Sequence, residues 1–187
     1  LHCASKYGKT PGHLECINLL LSRGAKLNSV DQEGRTPIYA AAFFGHAKAV
    51  DHLLHRGADL NKKRSGGYTP LRAAVLNGHH DVIELLLQAC ANPNEQHDTF
   101  NDTLVQTAVW QNNLNAVKLL AAKGANLNLS NVYKQTPLHD AAIRGYGDIY
   151  KFLVENGANQ FALNQDGLTR ISLVVKNLHA LRTANTQ

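Results

Sequence analysis

The sequence predicts an all-α array of helix pairs, on three observations that share one ruler. Thr36-Pro37 is followed by Thr69-Pro70, Thr103-Leu104, Thr136-Pro137 and Thr169-Arg170, with threonine spacings of 33, 34, 33 and 33. Gly24, Gly57, Cys90, Gly124 and Gly157 keep the same register. So do Gly12-His13, Gly45-His46 and Gly78-His79, which become Asn112-Asn113 and Gly145-Tyr146 further on. A fixed period of this length marks units that cannot bury an apolar face alone and must stack on their neighbours.

Each element of the unit has a local cause. The threonine can cap orphan amides, and proline is tolerated at the first helical position. A short alanine-rich helix follows and stops at a glycine, which accepts left-handed dihedrals. A second, longer helix carries the apolar runs "INLLL", "AVDHLL", "VIELLL", "AVKLLA" and "IYKFLV". It ends at the glycine of the "GAxLN"-like turn, and polar stretches such as "NSVDQEGR" and "NKKRSGGY" supply turn chemistry before the next threonine. Alanines on the first helix permit close packing, and leucines of the second fill the space between units.

Composition narrows the class of protein. Of 187 residues, 44% are hydrophobic, yet no stretch approaches the roughly 18 uninterrupted apolar residues of a membrane helix. "LHCASKYGKT" lacks the apolar core of a signal peptide, and the absence of methionine, position 1 included, leads us to expect a chain trimmed at its start. Three cysteines (Cys3, Cys16, Cys90) without C-x-x-C spacing predict buried thiols in a reducing, intracellular compartment, the cytoplasm or nucleus. The net charge is +5, but the densest basic run is only Lys62-Lys63-Arg64, which argues against a nucleic-acid partner.

"GRTPIYAAAFFGHAKAVDHLLHRGADLN" and "TPLHDAAIRGYGDIYKFLVENGAN" resemble ankyrin repeats, and the likeness extends over nearly the whole chain. The resemblance implies a solenoid of antiparallel helix pairs, with β-hairpin-like loops along one edge and a concave binding face. One domain over 1–187 is expected, with repeats at about 1–33, 34–66, 67–100, 101–133 and 134–166, and a divergent cap at 167–187. It also implies that His13, His46 and His79, with His2 and His139 at the "TPLH" position, tie units together by hydrogen bonds. Asn28, Asn61, Asn94 and Asn128 are expected to serve turn hydrogen bonding, and family asparagines of this kind can be hydroxylated. Two departures stand out. About four extra residues, Gly8 to Pro11, are expected to lengthen the first unit's connection, and the fourth unit, with Leu104 and Asn112-Asn113, is expected to be the least regular.

Catalytic patterns are weak. Gly8-Lys9-Thr10 matches the end of the phosphate-binding G-x-x-x-x-G-K-[ST] pattern, but the first glycine would fall at Cys3. No strand can precede it, and Pro11 is expected to interrupt the helix that would hold a phosphate. His52 and His55 could share a helix face with His46 or His79, but no carboxylate or thiol completes a metal set. His139 and Asp140 are adjacent on a helix and diverge, so no nucleophile with its base emerges. No catalytic residue, metal, cofactor or small-molecule substrate is expected.

The period allows equivalent positions to be compared inside one chain. Seven residues after each threonine stand Phe43, Leu76, Trp110 and Ile143, an apolar row flanked by Lys6 and Lys176. The next position holds Phe44, Asn77, Gln111 and Arg144, and the loop tips contribute Arg35, Tyr68 and Tyr133, with Phe100, Asp102 and Gln135 at matching places. The resemblance assigns these positions to the concave face. At roughly 8–10 Å per helix neighbour the row is expected to run about 25–30 Å. Apolar stripes of this kind mark partner sites, so the expected function is a protein-interaction module binding a protein or peptide. The alternative is the recruiting or regulatory arm of a larger enzyme, such as a ubiquitin-ligase receptor or a secreted bacterial effector acting in a host cytosol. Nucleic-acid binding through Lys62-Lys63-Arg64 is a third, weaker reading.

Overall fold

The computed structural model describes residues 1–97 and 99–169. The described residues form ten helices in five pairs and no strands. They are α1 (His2–Lys6) and α2 (Pro11–Ser22), α3 (Pro37–Phe43) and α4 (Ala47–His55), α5 (Pro70–Leu76) and α6 (His80–Gln88), α7 (Leu104–Trp110) and α8 (Leu114–Ala122), and α9 (Pro137–Arg144) and α10 (Gly147–Glu155). The chain divides into two compact units, Leu1–Pro93 and a second beginning at Asn94. In the first, α3 packs on α1, α4 and α5; in the second, α7 packs on α8 and α9.

Threonine starts these helices as its chemistry requires. Thr36 Oγ1 accepts the Tyr39 amide at 3.2 Å and Thr69 Oγ1 the Arg72 amide at 3.1 Å, with proline at the first helical position of both. Helix α7, with leucine in place of proline, is capped from both directions. Thr103 Oγ1 accepts the Gln106 amide at 3.0 Å while Gln106 Oε1 accepts the Thr103 amide at 3.1 Å, a reciprocal capping box. The helices of the fourth repeat are therefore as regular as the others, and its irregularity lies in the preceding loop. There His97 donates to the Asp102 carbonyl over five residues, where Asp31 to Arg35, Arg64 to Tyr68 and Asn131 to Gln135 close over four.

The expected hairpin-like loops are these closed turns, without strand pairing beyond one isolated bridge between Gln96 and Thr103 among the described residues. The extra residues of the first repeat also fall differently from expectation. The connection Tyr7–Thr10 is four residues against three in the next pair, whereas α2 has 12 residues where α4 has 9. Thr10-Pro11 is one more threonine–proline helix start, so the inserted residues continue the helix backwards.

The core is small-residue rich where first helices meet. Ala41, Ala42, Ala73, Ala74 and Ala108 are fully or almost fully buried, backed by Val50, Leu53, Ile83, Leu86, Val117, Leu120, Ile149 and Leu153 from the second helices. Side chains then stitch repeat to repeat through the backbone. His2 Nε2 donates to the Arg35 carbonyl (2.7 Å), His46 Nε2 to the Lys6 carbonyl (2.8 Å) and His79 Nε2 to the Phe43 carbonyl (3.0 Å). His13 instead pairs with Thr10 Oγ1 in its own helix. The asparagine series does more than shape turns. Asn28, Asn94 and Asn128 Oδ1 accept the amides of Asp59, Asn126 and Asn159 in the following repeat, at 2.9, 2.6 and 2.6 Å.

Two marker positions lack glycine yet keep its backbone conformation, Cys90 at φ 65° and Asn112 at φ 50°. All three cysteines are exposed, contrary to the expected burial, so their number indicates nothing about packing. Cys90 is exposed because its position is the helix-terminating turn. The cap expected at 167–187, including Lys176, lies from residue 170 onward outside the described residues.

Gly45 combines φ 74° with a close approach: a Cβ there would lie 2.5 Å from His79 Nδ1, whereas one at Gly57 (φ 81°) meets open space. Both alanine substitutions carry the left-handed penalty of about 1–2 kcal/mol. Gly45→Ala must also displace the His79 ring from the Phe43 carbonyl. Thermal melting is expected to show a larger loss for Gly45→Ala than for Gly57→Ala.

Candidate functional site

Every residue of α3 from Pro37 to Ala42 is buried, but Phe43 is 38% exposed and Phe44, at the helix end, 37%. Their rings meet edge to face at 5.1 Å, an arrangement favoured by the aromatic quadrupole. Tyr39 stacks behind Phe43 at 6.3 Å, His46 behind Phe44 at 6.3 Å, and Lys6 Nζ stands 5.4 Å from both the Tyr7 and Phe44 rings. The backbone under this pair is held from both sides, since His79 binds the Phe43 carbonyl and His46 the Lys6 carbonyl. The two rings are fixed in place and turned outward.

The other first-unit candidates differ in how free they are. Leu76 is half-buried, and exposed Asn77 bends its amide back onto the Ala73 carbonyl at 2.8 Å. Arg35 is committed to its own loop, with Nε 2.8 Å from Asp31 Oδ2 and Nη1 3.1 Å from Glu33. The hydrogen bond that Arg35 donates to Asp31 raises its guanidinium above its ordinary value. Tyr68 faces the Arg64 guanidinium at 5.0 Å, and buried Tyr39 faces it at 5.7 Å. Lys62 reaches the Asn28 carbonyl at 3.4 Å. The basic run is thus partly absorbed into aromatic and loop contacts.

In the second unit, Trp110, Tyr133 and Arg144 converge on one cavity of about 300 Å³. Phe100, Asp102 and Asp140 complete most of its wall. Tyr133 and Phe100 stack at 6.3 Å and are each about half exposed. The Val132 amide donates to the Phe100 carbonyl at 3.0 Å, which fixes the two loop tips together. Gln111 and Ile143, the latter 37% exposed, are on the surface and are not among the lining residues.

Two carboxylates sit within this wall, at 8% exposure for Asp102 and 6% for Asp140. Asp102 Oδ1 accepts Asn131 Nδ2 at 3.0 Å, and Asp140 Oδ2 accepts Gln106 Nε2 at 2.8 Å. Burial pushes the Asp140 carboxyl above its ordinary value and the Asp102 charge adds to this; hydrogen bonds from Gln106 and Trp110 and the charge of Arg144 oppose it. Asp140 is absent from the sequence-predicted site. Its signal is a break in the repeat row, where Ala40, Ala73 and Thr107 give way to an aspartate.

The remaining sequence candidates resolve into structural roles. Pro11 opens α2 rather than interrupting it, helix α1 precedes Gly8 where a phosphate loop needs a strand, and a Cβ on Gly8 would lie 2.7 Å from Ala49 Cβ. Close packing, not phosphate, explains that glycine. His52 Nε2 donates to Asn18 Oδ1 at 2.7 Å and His55 Nδ1 lies 2.9 Å from the Asp51 carbonyl. Among the described residues no three His, Cys, Asp or Glu side chains are grouped to hold a metal. His139 Nδ1 accepts the Thr136 amide at 3.2 Å while Asp140 turns to Gln106, so the neighbours diverge as expected. Burial lowers the His139 imidazole below its ordinary value, with the backbone of Leu168 and Ala162 acting the other way.

The family description of ankyrin repeats in three copies matches residues 1–97 and again 71–164. The chain belongs to the ankyrin-repeat family. Curated ankyrin-type relatives match short spans. Human protein phosphatase 1 regulatory subunit 27 is 43% identical over 60 residues, covering 32% of this chain and 39% of that protein. The mouse B-cell lymphoma 3 protein homolog is 36% identical over 84 residues, 43% of this chain and 19% of its own length. The Arabidopsis thaliana ubiquitin ligase KEG is 34% identical over 71 residues, 38% of this chain and 4% of that protein. This ankyrin chain therefore spans well under half of these curated relatives. A solved structure gives a longer match. One chain of a solved complex between a Bdellovibrio bacteriovorus predatory endopeptidase and an immunity protein superposes with a TM-score of 0.83 at 30% identity, covering 96% of this chain and 92% of that one. No described helix of the ankyrin chain is long and apolar enough to cross a membrane.

The raised Asp140 carboxyl makes stability depend on pH. A group whose folded value lies above its unfolded value stabilises the fold when protonated, and that contribution fades as pH rises through the folded value. Asp140→Asn imitates the protonated form. The melting temperature of Asp140→Asn relative to the parent is expected to rise between pH 4 and pH 7, measured by paired thermal melts. A constant difference across that range would show that burial does not govern this carboxyl.

Proposed function

We propose that the chain is a non-enzymatic protein-binding module. A partner protein or peptide docks on the exposed ends of the first helices and on the loop tips: Phe43 and Phe44 in the first unit, Trp110, Tyr133 and Arg144 in the second. These are positions that the family resemblance assigns to the concave face. The observation that carries the reading is the Phe43–Phe44 pair, two outward rings at the end of a helix otherwise buried. Aromatic side chains of this size bring large contact area at low entropic cost, and residues of this type dominate binding hot spots. The reading requires no metal, cofactor or small-molecule substrate.

A second reading follows from the long structural match. In a complex of an endopeptidase and an immunity protein, a repeat-built chain is suited to the binding role, and this chain would then mask a peptidase. An arm of a larger enzyme remains a further form of the same module, consistent with the ligase among its partial relatives.

The test uses a partner recovered by affinity capture with cross-linking and then purified. Phe43→Asp and Phe44→Asp are each expected to weaken binding by about 2 kcal/mol or more, roughly 30-fold, with circular dichroism and melting close to the parent. Full affinity in both folded variants would overturn the assignment. Binding carried by these rings is expected to vary little with salt, whereas a nucleic-acid complex would fall steeply. Peptidase activity in the recovered partner, suppressed by the chain, selects the masking role.

A further inference from the structure

We propose that the second-unit cavity receives a basic side chain, an arginine or lysine from an extended segment of the partner. This deepens the protein-binding reading and rests on it. Three features point to a cation. The cavity, at about 300 Å³, is open enough for one long side chain. Its wall carries two carboxylates, Asp102 and Asp140, both more than nine-tenths buried, against one guanidinium, Arg144, which is exposed to water. The rest of its lining is the Trp110 indole, the stacked Phe100 and Tyr133 rings, and the polar Asn131 and Gln135.

The alternatives fail on the same features. An acidic side chain would meet two like charges in a low-dielectric wall, with only a solvent-screened arginine in its favour. A purely apolar side chain would cover the charged carboxylates without offering them a counter-charge or a donor. A cation satisfies both parts of the wall, through ionic hydrogen bonds to carboxylate and attraction to the ring faces. The chain already uses cation–ring contacts of this kind internally, with Arg64 5.0 Å from the Tyr68 ring and Lys118 Nζ 6.0 Å from the Phe152 ring.

Trp110 is the single tryptophan of the chain, so its indole N–H signal and its fluorescence report on this cavity alone. The full chain is titrated with N-acetyl-arginine N-methylamide, and in parallel with the citrulline and glutamate counterparts. The arginine probe is expected to shift the indole signal saturably, in the millimolar range, with citrulline and glutamate at least tenfold weaker. Asp102→Asn is expected to weaken the arginine probe at least tenfold, with the amide spectrum of α7 and α9 showing that the fold is retained. Tyr133→Ala removes an exposed ring without risk to the core, and is expected to weaken the probe about threefold. Equal shifts from citrulline, stronger binding of glutamate, or no saturable shift in the folded chain would each overturn the proposal. These probes need no partner. Their failure would leave the Phe43–Phe44 reading standing, and loss of that reading would leave an arginine response intact.

Discussion

No described helix pair can bury its own apolar face, and the rest of the structure follows from that constraint. The second helices carry Val50, Leu53, Ile83 and Leu86 in one unit and Val117, Leu120, Ile149 and Leu153 in the other, all with essentially no exposure. They stay dry because first helices can approach closely over Ala41, Ala42, Ala73, Ala74 and Ala108. A larger side chain at any of these alanines would separate the helices and open the leucine layer, since packed interiors tolerate added methylenes poorly. Threonine caps and polar turns keep each repeat in register, and stability is close to a sum of local terms.

That division of labour frees a particular set of positions. Packing demands occupy the alanine and leucine faces, while histidine and asparagine side chains reach backbone groups of the adjacent repeat. What is left unconstrained is the end of each first helix and the tip of each loop. There the residues are Phe43 and Phe44 in one unit and Trp110, Tyr133 and Phe100 in the other, chemically unlike from repeat to repeat. The scaffold also braces them, because the carbonyl of Phe43 is itself one of the stitched groups. The first unit presents rings beside lysine, and the second presents rings beside buried carboxylates.

Much of this was legible in the sequence because the period supplies an internal comparison. The Phe43–Phe44 pair is visible as large residues where packing does not require them, and Gly45 and Gly78 mark the turns that the backbone confirms. The less legible features share a cause: they depend on which of two local rules a residue obeys. Thr10-Pro11 carries the same cap signal as the other helix starts, yet as an insertion it looks like loop, and the structure resolves it as three more helical residues in α2. Cys90 looks like a core thiol by composition and is a turn residue by position. Asp140 stands where earlier repeats have Ala40, Ala73 and Thr107, and its burial beside Gln106 and Trp110 emerges only when the neighbouring repeat is in place.

The central proposal is that recognition belongs to the first-helix ends and loop tips rather than to the second helices. Amide hydrogen exchange, with and without the purified partner, tests this directly. The account predicts slowed exchange at residues 43–46, at the end of α7, and in the loop segments 99–102 and 132–135. Protection confined to α4, α6, α8 and α10 would contradict it.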